Sequence, residues 1–454
     1  MAIFRRKIHL VVVLAAALSF IGFGLVPAAA APTFHTIYSF NGVLHDGFSP
    51  EGGLAIDGSG NLFGTTYGGG STNYGTVYEL SPNGSTWNYQ VLYSFCSAGC
   101  SNDGSSPQAA VVVDVNGNLW GTTSAGGAHG HGLIFKLHNS GSSWMLTDMY
   151  DFCPTPDANG YCDDGDNNNG FAGAGLSYAG AASGSLYDGT SKLYGVTALG
   201  GTANFGVVFR FNPGGSPAYK VLYQFCTTFG NCADGAVPLG AVTVDSSGNL
   251  FGTTSERGAA DGALGTVYEL TSGSPYWSET TLYTFCCSGL AYRPNQGGVP
   301  EAGLIFDASG NILGTTTRGG SYNNRSDGAG VEFKLTPSSV ITVNKFCKDV
   351  SDLDCTNNGS FPANGAGMVR DASSNLYGEV TGDGTLPDVG RIFKISAATG
   401  SLSTIYTFCP SGTCTSTDGK KPNGGLVADS SGNFYGTTEN GGANSGGTIF
   451  KITP

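Results

Sequence analysis

The stretch DGSGNLFGTT at residues 57–66 sets the pattern of the whole chain. Similar ten-residue stretches follow it, beginning at Asp114, Asp188, Asp245, Asp307, Asp371 and Asp429. The copies at Asp188 and Asp371 diverge most. The glycine at the eighth position recurs after steps of 57 to 74 residues, which gives seven copies. A recurring phrase at this spacing indicates a repeat architecture.

Each copy predicts four short strands. In the first copy, residues 53–56 are apolar, and residues 62–66, 75–80 and 89–95 mix β-branched or aromatic residues with polar ones, as half-buried strands do. An Asp-x-x-Gly-Asn turn separates the first two strands, and glycines follow the second. Four short antiparallel strands repeated seven times predict an all-β, seven-bladed β-propeller with four-stranded blades.

The two ends of the repeat suggest how the ring closes. Residues 34–40 read as a fourth strand before any first strand has occurred, and the last repeat stops after its third strand. We therefore expect the N-terminal strand to complete the last blade and close the ring, which would remove exposed sheet edges. An open array with a shifted repeat boundary is the alternative.

The N-terminal segment has the features of an export signal. Arg5, Arg6 and Lys7 precede an apolar stretch at residues 10–25, and four alanines follow at residues 28–31. We predict a signal peptide at residues 1–31 and a single propeller domain at residues 32–454, in a protein that is secreted, on the cell surface or in the periplasm. An uncleaved membrane anchor is the alternative; no transmembrane segment is expected in the mature chain.

The charge balance narrows the range of partners. The chain has 20 Lys and Arg against 33 Asp and Glu, and loss of the signal would leave a net charge of about −16. Nucleic acids and anionic membranes are disfavoured because both require a basic surface. Polysaccharide or an extracellular protein is the expected partner, and a monomer is the expected state.

The repeat phrase also resembles a known family. The sequence Asp-x-x-Gly-Asn-Leu-aromatic-Gly-Thr-Thr, with GTVYEL at residues 75–80 and 265–270, resembles the choice-of-anchor tandem repeat GloVer-containing proteins across essentially the whole mature chain. The resemblance implies an exported bacterial protein. Members of that family have varied C-terminal surface anchors; residues 452–454 show none, which puts surface attachment in doubt. The core phrase is also similar to propeller repeats of two-component sensor proteins. Neither resemblance supplies a catalytic residue.

Twelve cysteines in an exported chain predict disulfide bonds. Six of them end fourth strands, and each has a partner close by in sequence. The predicted pairs are Cys96–Cys100, Cys153–Cys162, Cys226–Cys232, Cys286–Cys287, Cys347–Cys355 and Cys409–Cys414. Free thiols or links between loops are the alternatives. Metal binding by these cysteines is not expected, since no histidine lies at ligand spacing from them in the sequence.

Charged residues that depart from the repeat are the candidates for a binding rim. They are His129, His131, Glu256, Arg257, Arg318, Arg325, Glu379 and Glu439. Glu, Arg and His on one rim are suited to binding a sugar or to acid–base chemistry on it. Ordinary variation in solvated loops is the alternative. Asp-Gly pairs at residues 46, 103, 234 and 418 either join this rim or simply form turns.

One polar segment suggests a metal. Asp164, Asp166 and Asn168 resemble an oxygen-rich calcium loop, although the glycine and the closing glutamate of an EF-hand are missing. A flexible polar insertion is the alternative. No cofactor other than calcium is expected.

These observations favour a non-enzymatic binding or scaffold propeller that recognises polysaccharide or protein. The sequence contains no G-x-S-x-G, H-E-x-x-H or Walker motif. A carbohydrate-active enzyme, either a polysaccharide lyase or a hydrolase acting through charged rim loops, is the second hypothesis. A structural domain of a larger envelope assembly is the third.

Overall fold

The computed structural model describes residues 31–454 with internal gaps. The gaps are residues 43–44, 98, 166–174, 229, 231, 260–261, 274–276, 286–296, 321–327, 338, 347–359, 363–366, 383–388, 411–413 and 415–417. The predicted signal peptide therefore lies outside the described residues, apart from Ala31. Pro32–Pro454 form one compact unit.

The described residues are almost entirely strands and turns. From the N-terminus to the end of the first blade the strands are β1 (Thr33–Ser39), β2 (Gly47–Phe48), β3 (Ala55–Ile56), β4 (Leu62–Thr66), β5 (Gly68–Gly69), β6 (Thr76–Asn83) and β7 (Thr86–Ser94). Blades two to four contain β8 (Val112–Val113), β9 (Leu119–Thr122), β10 (Leu133–Asn139), β11 (Trp144–Asp151), β12 (Ser177–Tyr178), β13 (Leu193–Thr197), β14 (Val207–Phe211), β15 (Tyr219–Gln224), β16 (Thr243–Val244), β17 (Leu250–Thr254), β18 (Thr266–Thr271) and β19 (Ser278–Thr284). Blades five to seven contain β20 (Ile305–Phe306), β21 (Ile312–Thr316), β22 (Val331–Thr336), β23 (Ser339–Lys345), β24 (Ser360–Pro362), β25 (Val369–Arg370), β26 (Leu376–Gly382), β27 (Arg391–Ile395), β28 (Leu402–Thr407), β29 (Gly419–Pro422), β30 (Val427–Ala428), β31 (Phe434–Gly441) and β32 (Thr448–Thr453). One helical turn, α1 (Cys100–Asp103), and a 3₁₀ turn at Ala181–Ser183 lie between strands.

The strands form seven antiparallel blades with four strands each in the repeat order; β24 and β29 add a fifth strand to blades six and seven, and β2 and β5 form a separate two-stranded sheet. The protein is a seven-bladed β-propeller, as predicted. In the last blade, β1 pairs with β32 from Thr33 opposite Thr453 to Ser39 opposite Thr448. The N-terminal strand thus supplies the fourth strand of blade seven.

The recurring glycine of the second strand makes room for an aromatic ring. Gly64 is paired with Tyr78 on the neighbouring strand, and a Cβ at Gly64 would lie 2.3 Å from the Tyr78 hydroxyl oxygen. The same relation holds between Gly121 and Phe135. A larger residue would push this ring out of the blade, so the glycine and the aromatic residue recur together.

The core lies between neighbouring blades. Val77 and Phe95 of blade one pack with Leu119 and Phe135 of blade two in one buried cluster. Threonine hydroxyls of second strands add hydrogen bonds between blades, as from Thr65 Oγ1 to the Ala109 carbonyl (2.9 Å). Between blades seven and one, Thr437 Oγ1 donates to the Gly52 carbonyl at 3.2 Å. Apolar packing and side-chain hydrogen bonds therefore hold consecutive sheets together.

Candidate functional site

Two sets of loops share one side of the propeller, which we call the loop face. In blades one, four and seven, the segment leading into the first strand pairs with the segment after the second strand of the same blade. This pairing occurs between β2 and β5, between β29 and β31, and between Ala236 and Glu256. These pairings place both sets of loops on one face.

The Asp-Gly pairs on this face are structural. Asp234 accepts hydrogen bonds from the Tyr223 hydroxyl (2.9 Å) and from the Cys226 backbone amide (2.9 Å). Asp103 accepts from the Tyr93 hydroxyl at 2.7 Å, and burial together with this carboxylate raises the Tyr93 pKa to about 12. These carboxylates point into the protein and tie each loop to the preceding fourth strand, so they are not offered to a ligand.

Four of the six predicted disulfide bonds are present. They are Cys96–Cys100, Cys153–Cys162, Cys226–Cys232 and Cys409–Cys414. Cys286, Cys287, Cys347 and Cys355 lie outside the described residues. Each observed bond closes a short loop of the loop face, as the local pairing scheme predicted.

The predicted rim residues of blades two and four are engaged separately. His129 is exposed, and Nδ1 of half-buried His131 lies 3.9 Å from Cys162 Sγ. Exposed Arg257 places its guanidinium 4.5 Å from the centre of the Phe205 ring of blade three. Glu256 is exposed as well. Each contact joins residues of one blade or of adjacent blades. These contacts therefore do not bring the predicted rim residues of blades two and four together in one site.

The predicted rim residues of blades five to seven behave differently from one another. Arg318 is exposed and faces Glu301, whose pKa burial raises to about 7 while Arg318 opposes the rise. Arg325 lies outside the described residues. The rim position expected for Glu379 is wrong: this side chain is 3% exposed, because it points between blades six and seven. Its Oε2 accepts a hydrogen bond from the Gly425 amide at 3.0 Å, and its Oε1 is buried without a hydrogen-bond partner.

Two groups of residues concern the predictions about metal binding: the predicted calcium loop and the cysteines of blade two. The Asp164 carboxylate accepts hydrogen bonds from the Tyr150 hydroxyl and the Cys153 amide, as the other Asp-Gly aspartates do for their loops. Asp166 and Asn168 lie outside the described residues, so the calcium loop stays a prediction. Folding brings His131 to within 4.8 Å of the sulfur atoms of Cys153 and Cys162, a closeness that sequence spacing did not show. Both sulfurs are in a disulfide bond, which removes the thiolates that a metal would require.

Polar side chains of blades seven, one and two meet at one place on the loop face, and two exposed tyrosines lie on adjoining segments. We call this group the blade-1 patch, and it consists of Glu51, Tyr67, Tyr74, Gln108, Lys421 and Glu439. Gln108 Nε2 donates to Glu51 Oε2 at 2.8 Å, and Lys421 Nζ lies 2.5 Å from Glu439 Oε2. Burial raises the pKa of Glu51, the hydrogen bond from Gln108 opposes this, Glu439 raises it further and Lys421 lowers it. The two pairs therefore form one electrostatic unit.

The tyrosines of the patch flank the same loop. Tyr67 and Tyr74 are 40% and 48% exposed. The Tyr67 amide donates to the Ser49 carbonyl, two residues before Glu51. The Ser106 amide donates to the Tyr74 carbonyl, two residues before Gln108. Backbone hydrogen bonds thus hold Tyr67 and Tyr74 on segments next to those that carry Glu51 and Gln108.

The repeats of this chain match a known repeat family. The model of the Gloeobacter/Verrucomicrobia repeat matches residues 23–178, 168–326 and 292–454. The chain belongs to this repeat family. The resemblance stated from the sequence is confirmed.

Beyond this repeat family, similarity is remote. No protein of curated function matches the chain. Polysaccharide lyase Uly1 is 11% identical and overlaps 91% of this chain and 92% of its own, with a TM-score of 0.48. A luciferin-regenerating enzyme is 11% identical over 93% and 96% of the two chains, with a TM-score of 0.41. A protein of unknown function from Dyadobacter fermentans DSM 18053 is 11% identical over 92% and 97%, with a TM-score of 0.41. Similarity at this level carries no information about activity.

Within the repeat, five of the six residues of the blade-1 patch were missed by sequence reasoning: Glu51, Tyr67, Tyr74, Gln108 and Lys421. In several blades a proline lies four residues after the Asp of the Asp-Gly pair, and we call it the loop proline. Glu51 and Gln108 each follow this proline, at the position where blade four has Leu239. Tyr67 occupies the position that Glu439 holds in blade seven, and Tyr74 precedes the glycine before the third strand. Comparing the copies position by position could have found these departures. Among the described residues, no helix is long and apolar enough to cross a bilayer.

Proposed function

We propose that this protein is an exported binding module that recognises polysaccharide through the blade-1 patch. The observation that supports the proposal is the pair of exposed tyrosines, Tyr67 and Tyr74, on segments whose backbone is hydrogen-bonded close to Glu51 and Gln108.

The residue types suit a sugar. Tyrosine has a broad apolar face and little conformational freedom to lose, so it offers contact area to the flat C–H surface of a pyranose ring. Carboxylates accept hydrogen bonds and an ammonium donates them. Sugar hydroxyl groups can satisfy both, while buried Gln108 orients Glu51. The patch therefore offers both an aromatic surface and directional polar contacts.

The loops that carry the patch are held in place by the protein, which favours binding without large rearrangement. The loop carrying the tyrosines is held by the β2–β5 pairing and by the hydrogen bonds to Ser49 and Ser106. The next loop, which leads to Gln108, is closed by the Cys96–Cys100 disulfide bond. Preorganised loops lose less conformational entropy on binding.

Binding to immobilised and soluble polysaccharides tests the proposal. The variant Tyr67→Ala with Tyr74→Ala is compared with Tyr161→Ala, which removes an equally accessible tyrosine (38% exposed) from a different loop. Loss of both patch tyrosines should weaken binding by about ten-fold or more, since each supplies on the order of 1 kcal/mol. Tyr161→Ala should bind as the unchanged protein does. Equal binding by all three proteins, or no binding to any polysaccharide, would contradict the proposal.

One observation supports a carbohydrate-active enzyme as the second candidate. Glu301 follows the loop proline of blade five, in the position that Glu51 has in blade one, and its pKa is raised to about 7. A carboxyl group that titrates near neutral pH is suited to general acid–base catalysis. Release of reducing ends or unsaturated products by the unchanged protein, but not by Glu301→Gln, is the result that would favour this candidate.

A further inference from the structure

We infer that the ligand of the blade-1 patch is an uncharged polysaccharide, and not a polymer bearing carboxylate or sulfate groups. This inference rests on the proposed function and adds the chemical class of the ligand. Its basis is the ion pair that the cation of the patch, Lys421, already forms with Glu439.

The cation of the patch already forms an ion pair with a carboxylate of the protein. Lys421 Nζ lies 2.5 Å from Glu439 Oε2, and the side chains are 35% and 16% exposed. A uronate or sulfate that took Lys421 as its counterion would have to displace Glu439. The mostly buried Glu439 carboxylate would then lose its counterion, which is costly in a partly desolvated site.

Two other cations of the loop face, on blades four and five, also have contacts within the protein. Arg318 interacts with Glu301. The Arg257 guanidinium lies over the Phe205 ring at 4.5 Å. Recognition of an acidic sugar usually uses an arginine or lysine that can form paired hydrogen bonds with the anion. Each of these cations would have to give up a protein contact first.

The field around the patch has the sign that repels an anionic polymer. Glu51 and Glu439 outnumber the single Lys421, and the formal charge of the whole chain is −13. A polyanion longer than the Debye length of about 8 Å at physiological salt would experience this charge as well as the local one. Sugar hydroxyls do not meet this penalty. They can donate to Glu51 and accept from Lys421 without displacing the counterion of either group.

The test measures binding of the unchanged, oxidised protein to four probes at low and at moderate salt. The probes are soluble starch and a galactomannan, which are neutral, and polygalacturonate and a sulfated galactan, which are anionic. The expected result is binding to at least one neutral polymer, with an affinity that changes less than about two-fold between the two salt concentrations, because no ion pair is formed. This binding should be lost in Tyr67→Ala with Tyr74→Ala and kept in Tyr161→Ala.

A gain-of-binding variant makes the inference sharper. Glu439→Gln removes the counterion of Lys421 and should create salt-sensitive binding to polygalacturonate. Adding Lys421→Met should abolish that new binding, and circular dichroism checks that both variants are folded.

Failure of this inference can be distinguished from failure of the proposed function. Binding of the unchanged protein to anionic polymers alone, weakened by salt and by loss of the patch tyrosines, would overturn this inference and leave the proposed function standing. Failure to bind all four probes would overturn the inference, and failure across a wider polysaccharide panel would overturn the proposed function too.

Discussion

The ring of Phe34 stacks on the ring of Tyr406, with centroids 3.7 Å apart and planes 6° from parallel. Phe34 lies in β1, the fourth strand of blade seven, and Tyr406 lies in β28 of blade six. Four residues further along β1, Tyr38 stacks on Tyr89 of blade one at 4.0 Å. The same kind of stack joins Tyr150 to Tyr219 between blades two and three. The N-terminal strand is therefore packed against both neighbouring blades.

Phe34→Ala should destabilise the protein by about 2 kcal/mol, since a half-buried ring and its stacking partner are lost. His35→Ala is the matched control, because His35 is the adjacent, exposed residue of the same strand. Equilibrium unfolding in guanidinium chloride measures both. Equal midpoints for the two variants would show that the stack contributes nothing measurable.

Glu379→Gln should flatten the dependence of stability on pH. Burial raises the pKa of Glu379 from 4.5 to about 8, so the folded state keeps a proton that the unfolded state releases. Its contribution to stability is complete below pH 4.5, and it is lost as the pH rises towards 8. The expected loss is about 1.4 kcal/mol per pH unit over that window.

Unfolding free energies at pH 5, 6.5 and 8 test this expectation for Glu379. Glu379→Gln should show a shallower decline than the unchanged protein and should be more stable at pH 8. Glu379→Thr restores the residue that blade one has as Thr65, whose hydroxyl bonds to the next blade. Parallel pH profiles for all three proteins would contradict the assignment.

Glu332→Val should stabilise the protein at pH 8. Glu332 is 2% exposed in blade five, and burial raises its pKa to about 7, although Asn344 donates a hydrogen bond to it at 2.6 Å. The corresponding residues of the other blades are Val77, Ile134, Val208, Val267, Ile392 and Ile449. Replacing a buried carboxyl by an aliphatic side chain should gain about 1–3 kcal/mol. Thermal unfolding measures the gain, and Glu79→Val, at a half-buried position of β6, should give none.

Loss of Asp234 should cost more than loss of its hydrogen-bond donor. Asp234→Ala leaves the Tyr223 hydroxyl and the Cys226 amide without their acceptor, so a loss of about 3 kcal/mol is expected. Tyr223→Phe should cost about 1 kcal/mol. Replacing Cys226 and Cys232 by serine should cost about 2 kcal/mol, because the loop that they close is short. A Tyr223→Phe loss as large as that of Asp234→Ala would contradict the structural role given to this carboxylate.

Sequence reasoning succeeded where the information is local. The alternation of apolar residues, the Asp-x-x-Gly-Asn turn and the nearby cysteines each concern residues within about ten positions of one another. In the turn at residues 57–61, Asp57 accepts hydrogen bonds from the Ser59 and Asn61 amides. Such contacts depend little on the rest of the fold, so the repeat itself was enough to predict them.

The candidate site was only partly predictable. The predicted rim residue Glu439 pairs with Lys421 at the loop face, whereas Glu379, equally unusual in its repeat, is buried between blades. The difference cannot be seen in either sequence context, because second-strand residues alternate in direction and the next blade decides which of them meet solvent. Glu51 and Gln108 stand out only when the copies are compared position by position, and their hydrogen bond depends on blades one and two being adjacent.

The sequence by itself determined the number of blades, the order of strands within each blade and the cysteine pairs that close the described loops. These follow from periodicity and from contacts between near neighbours in the chain. Only the tertiary structure decided that Glu51 meets Gln108, 57 residues away, and that Glu439 from the last blade joins them. It also decided that the Asp-Gly carboxylates turn inward. The physical reason is that burial and electrostatic pairing at the loop face depend on the neighbouring blade, and the closed ring places the first and last blades side by side.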